Sequence, residues 1–187
     1  YLKAGYTPYV FYLPTYDGVD ADGKQKIGTE KRYIDASPKF TYAFTNNFGY
    51  KNWSLSVFFR GVAGQKAYNN ALAGLESGSN LRLQNGQNVT RAALTNGIKN
   101  GQLLSDLWLE DASYLRLDNA SLGYTFKKIN GVQNLRVFVA ANNLFVITKF
   151  RGLDPEIEVA SQSGAYISSD NRTAKTRAVS VGLNVAF

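Results

Sequence analysis

Counted in steps of two, the last residues of the chain fall into two sets. Val179, Val181, Leu183, Val185 and Phe187 share one face, and Ala178, Ser180, Gly182, Asn184 and Ala186 share the other. One set is continuously apolar and the other small or polar, the alternation of a strand that divides hydrocarbon from a wet interior. Five earlier segments carry strand signals. Gly5 to Leu13 is apolar in both phases and interrupted by Pro8, so its facing stays open. In Lys39 to Tyr50, Phe40, Tyr42, Phe44, Phe48 and Tyr50 line up, with Asn46 as the polar exception, against Thr41, Ala43, Thr45, Asn47 and Gly49. In Trp53 to Gly61, Trp53, Leu55, Val57 and Phe59 oppose Ser54, Ser56, Phe58 and Arg60. In Leu135 to Leu144, Leu135, Val137, Val139 and Ala141 oppose Arg136, Phe138, Ala140 and Asn142. Ser113 to Phe126 breaks phase: Ala120, Leu122, Tyr124 and Phe126 agree, but Leu115 and Leu117 do not. That predicts either a bulge near Asp118-Asn119 or an upper portion lying above a bilayer.

A soluble sandwich strand alternates in the same way, so the connections decide. Lys51-Asn52 is a tight turn, and Lys127 to Asn134 is a short polar link containing Asn130-Gly131. The other connections, Pro14 to Pro38, Ala63 to Ala112 and Phe145 to Lys175, are long, and long and short alternate strictly. Long structureless links count against a compact soluble domain. In an outer-membrane barrel, long extracellular loops alternate with short periplasmic turns. With Phe187 at the periplasmic end, every short link falls on that side. No Lys or Arg falls on the apolar face of the second, third, fifth or sixth segment, where one at the bilayer midplane would cost ~2–4 kcal/mol. The expected fold is all-β: an antiparallel transmembrane β-barrel segment of about six strands with long extracellular loops and short periplasmic turns. An open barrel edge in lipid leaves backbone groups unpaired. The remaining strands are therefore expected from an N-terminal part of the same polypeptide, ahead of another chain as the source. Residues 1–187 would then be one C-terminal portion of a barrel whose precursor carries an export signal.

Aromatic residues make up 13% of the chain and glycines number 17, which suits interfacial belts and tight turns. No run approaches the ~20 apolar residues of a membrane-spanning helix. The absence of Cys and His excludes disulfides, thiolate zinc sites and an imidazole base. The net charge of +7 is scattered through connections without a nucleic-acid motif, so no nucleic acid is expected, and the charge reads either as a solvated surface or as a basic rim over an anionic membrane surface. Asp17, Asp20 and Asp22 before Gly23 miss the spacing of a calcium loop and read as a turn. Glu110-Asp111 and Asp154-Pro155-Glu156 show no converging pair of the kind sugar hydrolysis needs; ion pairs or turns are expected, and no enzyme, metal or cofactor. The loop aromatics Tyr16, Tyr33, Tyr68, Trp108 and Tyr166 would either stack on a ligand or pack within loops.

Two stretches carry a family pattern. Leu107 to Phe126, read as LWLEDASYLRLDNASLGYTF, resembles the "EDxSYLRLxNxxLGYxF" stretch of SusC-like TonB-dependent transporters of Bacteroidetes-type outer membranes. Asn142 to Glu156, read as NNLFVITKFRGLDPE, resembles their "NLFxxTKYxGxDPE", with Phe150 in place of Tyr. Pro38 to Tyr42 and Tyr50 to Leu55 match the family's hairpin, and only Ala71 to Gly101 is weak. The terminal strand also resembles the signal read by the outer-membrane insertion machinery, at Ser180, Gly182, Val185 and Phe187. The resemblance implies a barrel of ~22 strands with a plugged lumen, located in the bacterial outer membrane. It implies import of a large nutrient, glycan or peptide, with a SusD-like surface lipoprotein and TonB, which acts through an N-terminal part outside this chain. Arg60, Arg136, Asn142, Asn47 and Ser56, with Thr41, Thr45 and Ser54, would face the lumen and bond either a passing solute or the plug. A structural or adhesin-type barrel and a siderophore transporter of the same fold are the alternatives. Cargo identity is not legible here.

Overall fold

The computed structural model describes residues 3–8, 10–78, 89–129, 131–157, 166–168 and 174–187. In chain order these form β1 (Phe11–Val19), β2 (Gln25–Ile34), β3 (Phe40–Tyr50), β4 (Trp53–Ala63), β5 (Lys66–Asn69), α1 (Asn70–Glu76) and α2 (Arg91–Thr95). A 3₁₀ turn at Asp106–Trp108 follows, then β6 (Leu109–Asp111), β7 (Tyr114–Ile129), β8 (Val132–Thr148), β9 (Ile167–Ser168) and β10 (Ala178–Ala186). The chain is all-β in character, and none of its described helices is long and apolar enough to cross a membrane. It divides into two units: one of residues 40–63, 114–148 and 174–187, the other of residues 1–39, 64–113 and 149–173.

The first of these units is one antiparallel sheet in the order β10-β8-β7-β4-β3. Its β3–β4 turn is two residues long, with Lys51 at a φ of 54°. The β7–β8 turn is tighter than the sequence suggests, because pairing persists to Ile129 opposite Val132. Gly131 takes a φ of +82° there, a value that favours glycine, and Asn130 lies outside the described residues. β3 and β4 are 11 residues each, the length a tilted strand needs to cross hydrocarbon. The expected phase break in β7 is a bulge. Phe58 pairs with Asn119 while Phe59 pairs with Leu117, so Asp118 is the extra residue. It returns Leu115 and Leu117 to the face of Ala120, Leu122 and Tyr124.

The other unit corrects the reading of the connections. The first strand was expected over Gly5 to Leu13. It runs instead over Phe11–Val19, through Pro14, and pairs with β2 in a two-stranded sheet of its own. β2 escapes a hydropathy reading because Lys26, Glu30, Lys31 and Arg32 make it polar. The hairpin is closed by Asp20, whose Oδ1 accepts the amides of Asp22 (3.0 Å) and Lys24 (2.7 Å). Of the acidic Asp17–Gly23 stretch, Asp17 to Val19 thus end β1 and Asp20 to Gly23 make the turn. The second long connection is structured too, carrying β5, α1, α2 and β6. The unit has a core of its own: Leu13, Tyr68, Leu72, Ala73, Ile98 and Trp108, all buried. Trp108 is 0% exposed, and its Nε1 donates to Glu76 at 2.9 Å, which satisfies the indole inside the core.

Asp111 ends β6 and accepts bonds from the hydroxyl and the amide of Ser113. The hydroxyl first, and then the amide, hold its carboxyl below the ordinary aspartate value against opposing desolvation, with Lys149 and Lys66 adding to the effect. A lowered folded value stabilises the fold above the unfolded pKa of about 3.9 and is lost as pH falls through the lower, folded value. Asp111→Asn is therefore expected to melt earlier than the native protein at pH 7 and to converge with it on acidification below the aspartate range. Thermal unfolding of the full-length protein in detergent at pH 7 and at acid pH measures this. An unchanged gap at both pH values would contradict it.

Candidate functional site

The pairing registers place the alternating residues of all five sheet strands in cross-strand rows. On one face run Val181–Val139–Leu122–Leu55–Phe48 and, nearer the short turns, Leu183–Val137–Tyr124–Trp53–Tyr50. Phe145–Leu117–Phe59–Phe44 forms a further row toward the other end. Aromatic rings sit at both ends: Trp53 meets Tyr124 edge-on at 4.8 Å and Tyr124 meets Phe126 at 4.6 Å, while Phe44 stacks on Phe59 at 4.9 Å. Aliphatic residues and alanines fill the space between, the distribution of a hydrocarbon band between two aromatic girdles. This face is uncovered. Val181 is 73% and Leu183 65% exposed. Asn46, opposite Val57, interrupts the face mid-strand, and Gln133 follows Leu135 in phase at the short-turn end.

The reverse face is polar. Asn47, Ser56, Ser121, Ala140 and Ser180 form one row across the sheet. Each expected lumen residue falls on this face, and Arg60, Arg136, Asn142 and Ser54 have protein partners there. Arg60 donates to Asp118 at 2.8 Å through Nε and to the Tyr114 hydroxyl at 3.4 Å. Asn142 Oδ1 accepts from Asn119 at 2.7 Å. Arg136 reaches across β7 to donate to Ser54 Oγ at 3.1 Å. Gly123 lies beneath that reach: a Cβ there would sit 2.8 Å from Arg136 Nε.

The sequence reading missed the centre of this network. Arg116 is 1% exposed and donates to Asn143 Oδ1. Asn143 takes a φ of 51° beside the bulge, and its Nδ2 donates to the carbonyls of Lys175 (2.8 Å) and Thr176 (3.3 Å). One side chain thereby ties β7, β8 and the residues that lead into β10. The signal was present: Asp118-Asn119 and Asn142-Asn143 are adjacent polar pairs inside strands, where such residues are depleted.

Two of the residues expected from sequence to form an assembly signal acquire a structural role. Ser180 pairs with Ala140, and Gly182 pairs with Phe138. A Cβ on Gly182 would overlap the Phe138 ring, which lies over the glycine with Arg136 at 5.4 Å from the ring centre. Val185 pairs with Leu135 on the apolar face, and Phe187 is 85% exposed. Gly182→Ala is expected to cost about 1 kcal/mol by displacing the ring, and Phe138→Ala should restore stability in the double variant. Thermal melting of the full-length protein tests this; a double variant no better than Gly182→Ala would mean that the ring is not the obstacle.

The candidate acid–base carboxylates are occupied structurally. Glu110 pairs with Arg151 at 2.7 Å, and Arg151 also reaches Glu76 at 3.0 Å. Asp154 Oδ1 accepts the Glu156 amide, shaping a turn. Among the loop aromatics, Tyr68, Trp108 and Tyr166 are buried. Tyr33 stacks on Tyr12 at 4.4 Å. Among the described residues no group of acidic side chains is placed to hold a metal ion.

An antiparallel sheet apolar across one face and polar across the other defines the class: an all-β chain bearing a segment of transmembrane barrel wall. No family model matches the chain. It is 31% identical over 185 residues to TonB-dependent receptor P3 of Formosa agariphila, covering 90% of this chain and 18% of that protein. It is 30% identical over 186 residues to TonB-dependent receptor SusC of Bacteroides thetaiotaomicron, covering 88% and 18%. The chain thus spans under a fifth of the length of these curated relatives, which are named as receptors and not as enzymes. A structure of the RagAB peptide transporter superposes with a TM-score of 0.78 at 23% identity, over 100% of this chain and 24% of that one. The RagAB peptide importer in its open-open state gives 0.72 at 22%, again over 100% and 24%. These two establish the shared fold. The chain is a relative of the SusC-type TonB-dependent receptors, as its motifs indicated.

Proposed function

We propose that residues 1–187 form the C-terminal portion of the barrel of a TonB-dependent importer in the bacterial outer membrane. The plug and the earlier strands belong to the rest of that protein. The cargo is a large nutrient, glycan or peptide, taken up with a SusD-like surface lipoprotein. The long connections face outward and the short turns face the periplasm. On the reverse face, Arg60, Arg136, Asn142, Asn47 and Ser56 line the lumen, and Ser180, Gly182, Val185 and Phe187 form the assembly signal. The observation that carries this reading is a sheet with one uncovered apolar face in a chain 30% identical to TonB-dependent receptor SusC. The alternation along β10 supports the facing.

The test is purification of the native full-length protein from membranes, with mass spectrometry of what accompanies it, and uptake measured with and without TonB. A co-purifying lipoprotein together with TonB-dependent uptake is expected. Uptake that persists unchanged without TonB would overturn active import, and recovery as a lipid-free soluble protein would overturn the membrane assignment.

A further inference from the structure

The unit built from the long connections holds a cavity of about 250 Å³, lined by Arg32, Tyr33, Ile34, Lys66, Asp106 and Leu109. We propose that this cavity binds one acidic sugar residue, a uronate, of a polysaccharide cargo. The inference rests on the import reading above and narrows its cargo.

The cavity is built by three separate segments, each pinned. Asp106 Oδ1 accepts the Tyr16 amide at 2.8 Å, and its Oδ2 accepts Arg32 Nη2 at 2.8 Å. The carboxylate thus holds the guanidinium in place while using one of its five N–H donors. Lys66 is fixed in β5, where its amide donates to Ala36 at 3.1 Å. Its ammonium makes no ion pair within 4 Å among the described residues. Asp111, opposite Lys66 in the register, is engaged by Ser113. Two cations and one carboxylate therefore line the cavity, with the Asp111 carboxylate opposite Lys66 outside that lining.

The lining also selects among anions. A bare carboxylate or a phosphate needs donors only and is repelled by Asp106. A uronate brings a carboxylate for Lys66 and Arg32 together with hydroxyl groups that donate to Asp106. Leu109 and Ile34 add apolar wall for the carbon face of a ring. An acidic peptide lacks that pairing of anion and adjacent hydroxyls, and extended peptides are more often held along a strand edge. The volume is below the ~300 Å³ at which drug-sized ligands begin to be enclosed, so the cavity takes one unit of a longer chain.

The experiment uses the full-length protein purified in detergent and titration calorimetry with three probes: an oligogalacturonate, a neutral glucose oligomer of equal length, and a glutamate-rich peptide. The oligogalacturonate is expected to bind, more weakly at high salt, and the neutral oligomer at least tenfold more weakly. Lys66→Gln is expected to weaken oligogalacturonate about tenfold while the protein stays folded at the titration temperature. Arg32→Gln should do the same, and because it also frees Asp106, the Lys66 variant is the deciding one. Absent oligogalacturonate binding, native affinity in Lys66→Gln, or peptide binding that depends equally on Lys66 would each overturn the proposal. These titrations need no transport, so TonB-dependent uptake of another cargo alongside a failed titration would sink the uronate site and leave the import reading standing.

Discussion

Leu183→Arg is expected to remove the protein from the outer membrane. Leu183 belongs to the row that continues through Val137, Tyr124, Trp53 and Tyr50, and it is 65% exposed, with nothing in the sheet to cover it. In the proposed orientation that exposure is contact with lipid. A guanidinium at the bilayer midplane costs ~2–4 kcal/mol, and less toward an interface. The penalty falls on β10, an outermost strand of the sheet whose pairing to β8 is made residue by residue from Ala178 to Ala186. The matched variant is Ala140→Arg. It places the same charge on the reverse face, between Ser121 and Ser180, where water or protein meets it. Outer-membrane fractionation and surface protease accessibility of the full-length protein measure both. Loss of Leu183→Arg with retention of Ala140→Arg is the expected pair of results; equal yields would contradict the assignment of the two faces.

The sheet was legible because its strands obey one period. In β3, β4 and β10 the alternation alone fixes both phase and approximate ends, whereas β8 keeps the phase but runs beyond Leu135 and Leu144 to Val132–Thr148. β7 was legible down to its defect, since a residue that changes phase mid-strand has to be a bulge or a departure from the layer. The loop unit was hidden for the opposite reason. β2 is a strand because Tyr33, Ile34 and Arg32 find partners in β1 and at Asp106, contacts distant in sequence that no local pattern announces. The same holds for Glu76, whose partners Trp108 and Arg151 lie 32 and 75 residues away. Of the reverse-face residues, the facing was readable but the engagement was not. Arg60 and Asn142 are expected from sequence to bond either a solute or the plug, and both are tied to β7 through Asp118 and Asn119.

Gly61→Val is expected to break the sheet where β3, β4 and β7 meet, and its failure to be rescued separates it from Gly182. Gly61 pairs with Tyr42 on one side and Leu115 on the other. The Tyr42 ring passes over it, and its hydroxyl donates to the Tyr114 carbonyl at 3.0 Å, an aromatic covering a glycine as sheets often arrange. A Cβ on Gly61 would overlap that carbonyl oxygen and stand 2.6 Å from the Tyr42 hydroxyl. At Gly182 the obstacle is the far end of a side chain, which can swing away or be deleted. At Gly61 it is backbone, and relief requires β4 and β7 to separate. Overpacking of this kind costs about 3 kcal/mol, or more where backbone must move. Tyr42→Ala should therefore leave Gly61→Val as unstable as before, whereas Phe138→Ala restores Gly182→Ala. Tyr42→Phe alone removes one hydrogen bond and should cost only about 1 kcal/mol. Thermal melting and heat-modifiable mobility of the full-length variants give the comparison. Recovery of Gly61→Val by Tyr42→Ala would show that the ring, and not the carbonyl of Tyr114, excludes a side chain from that position.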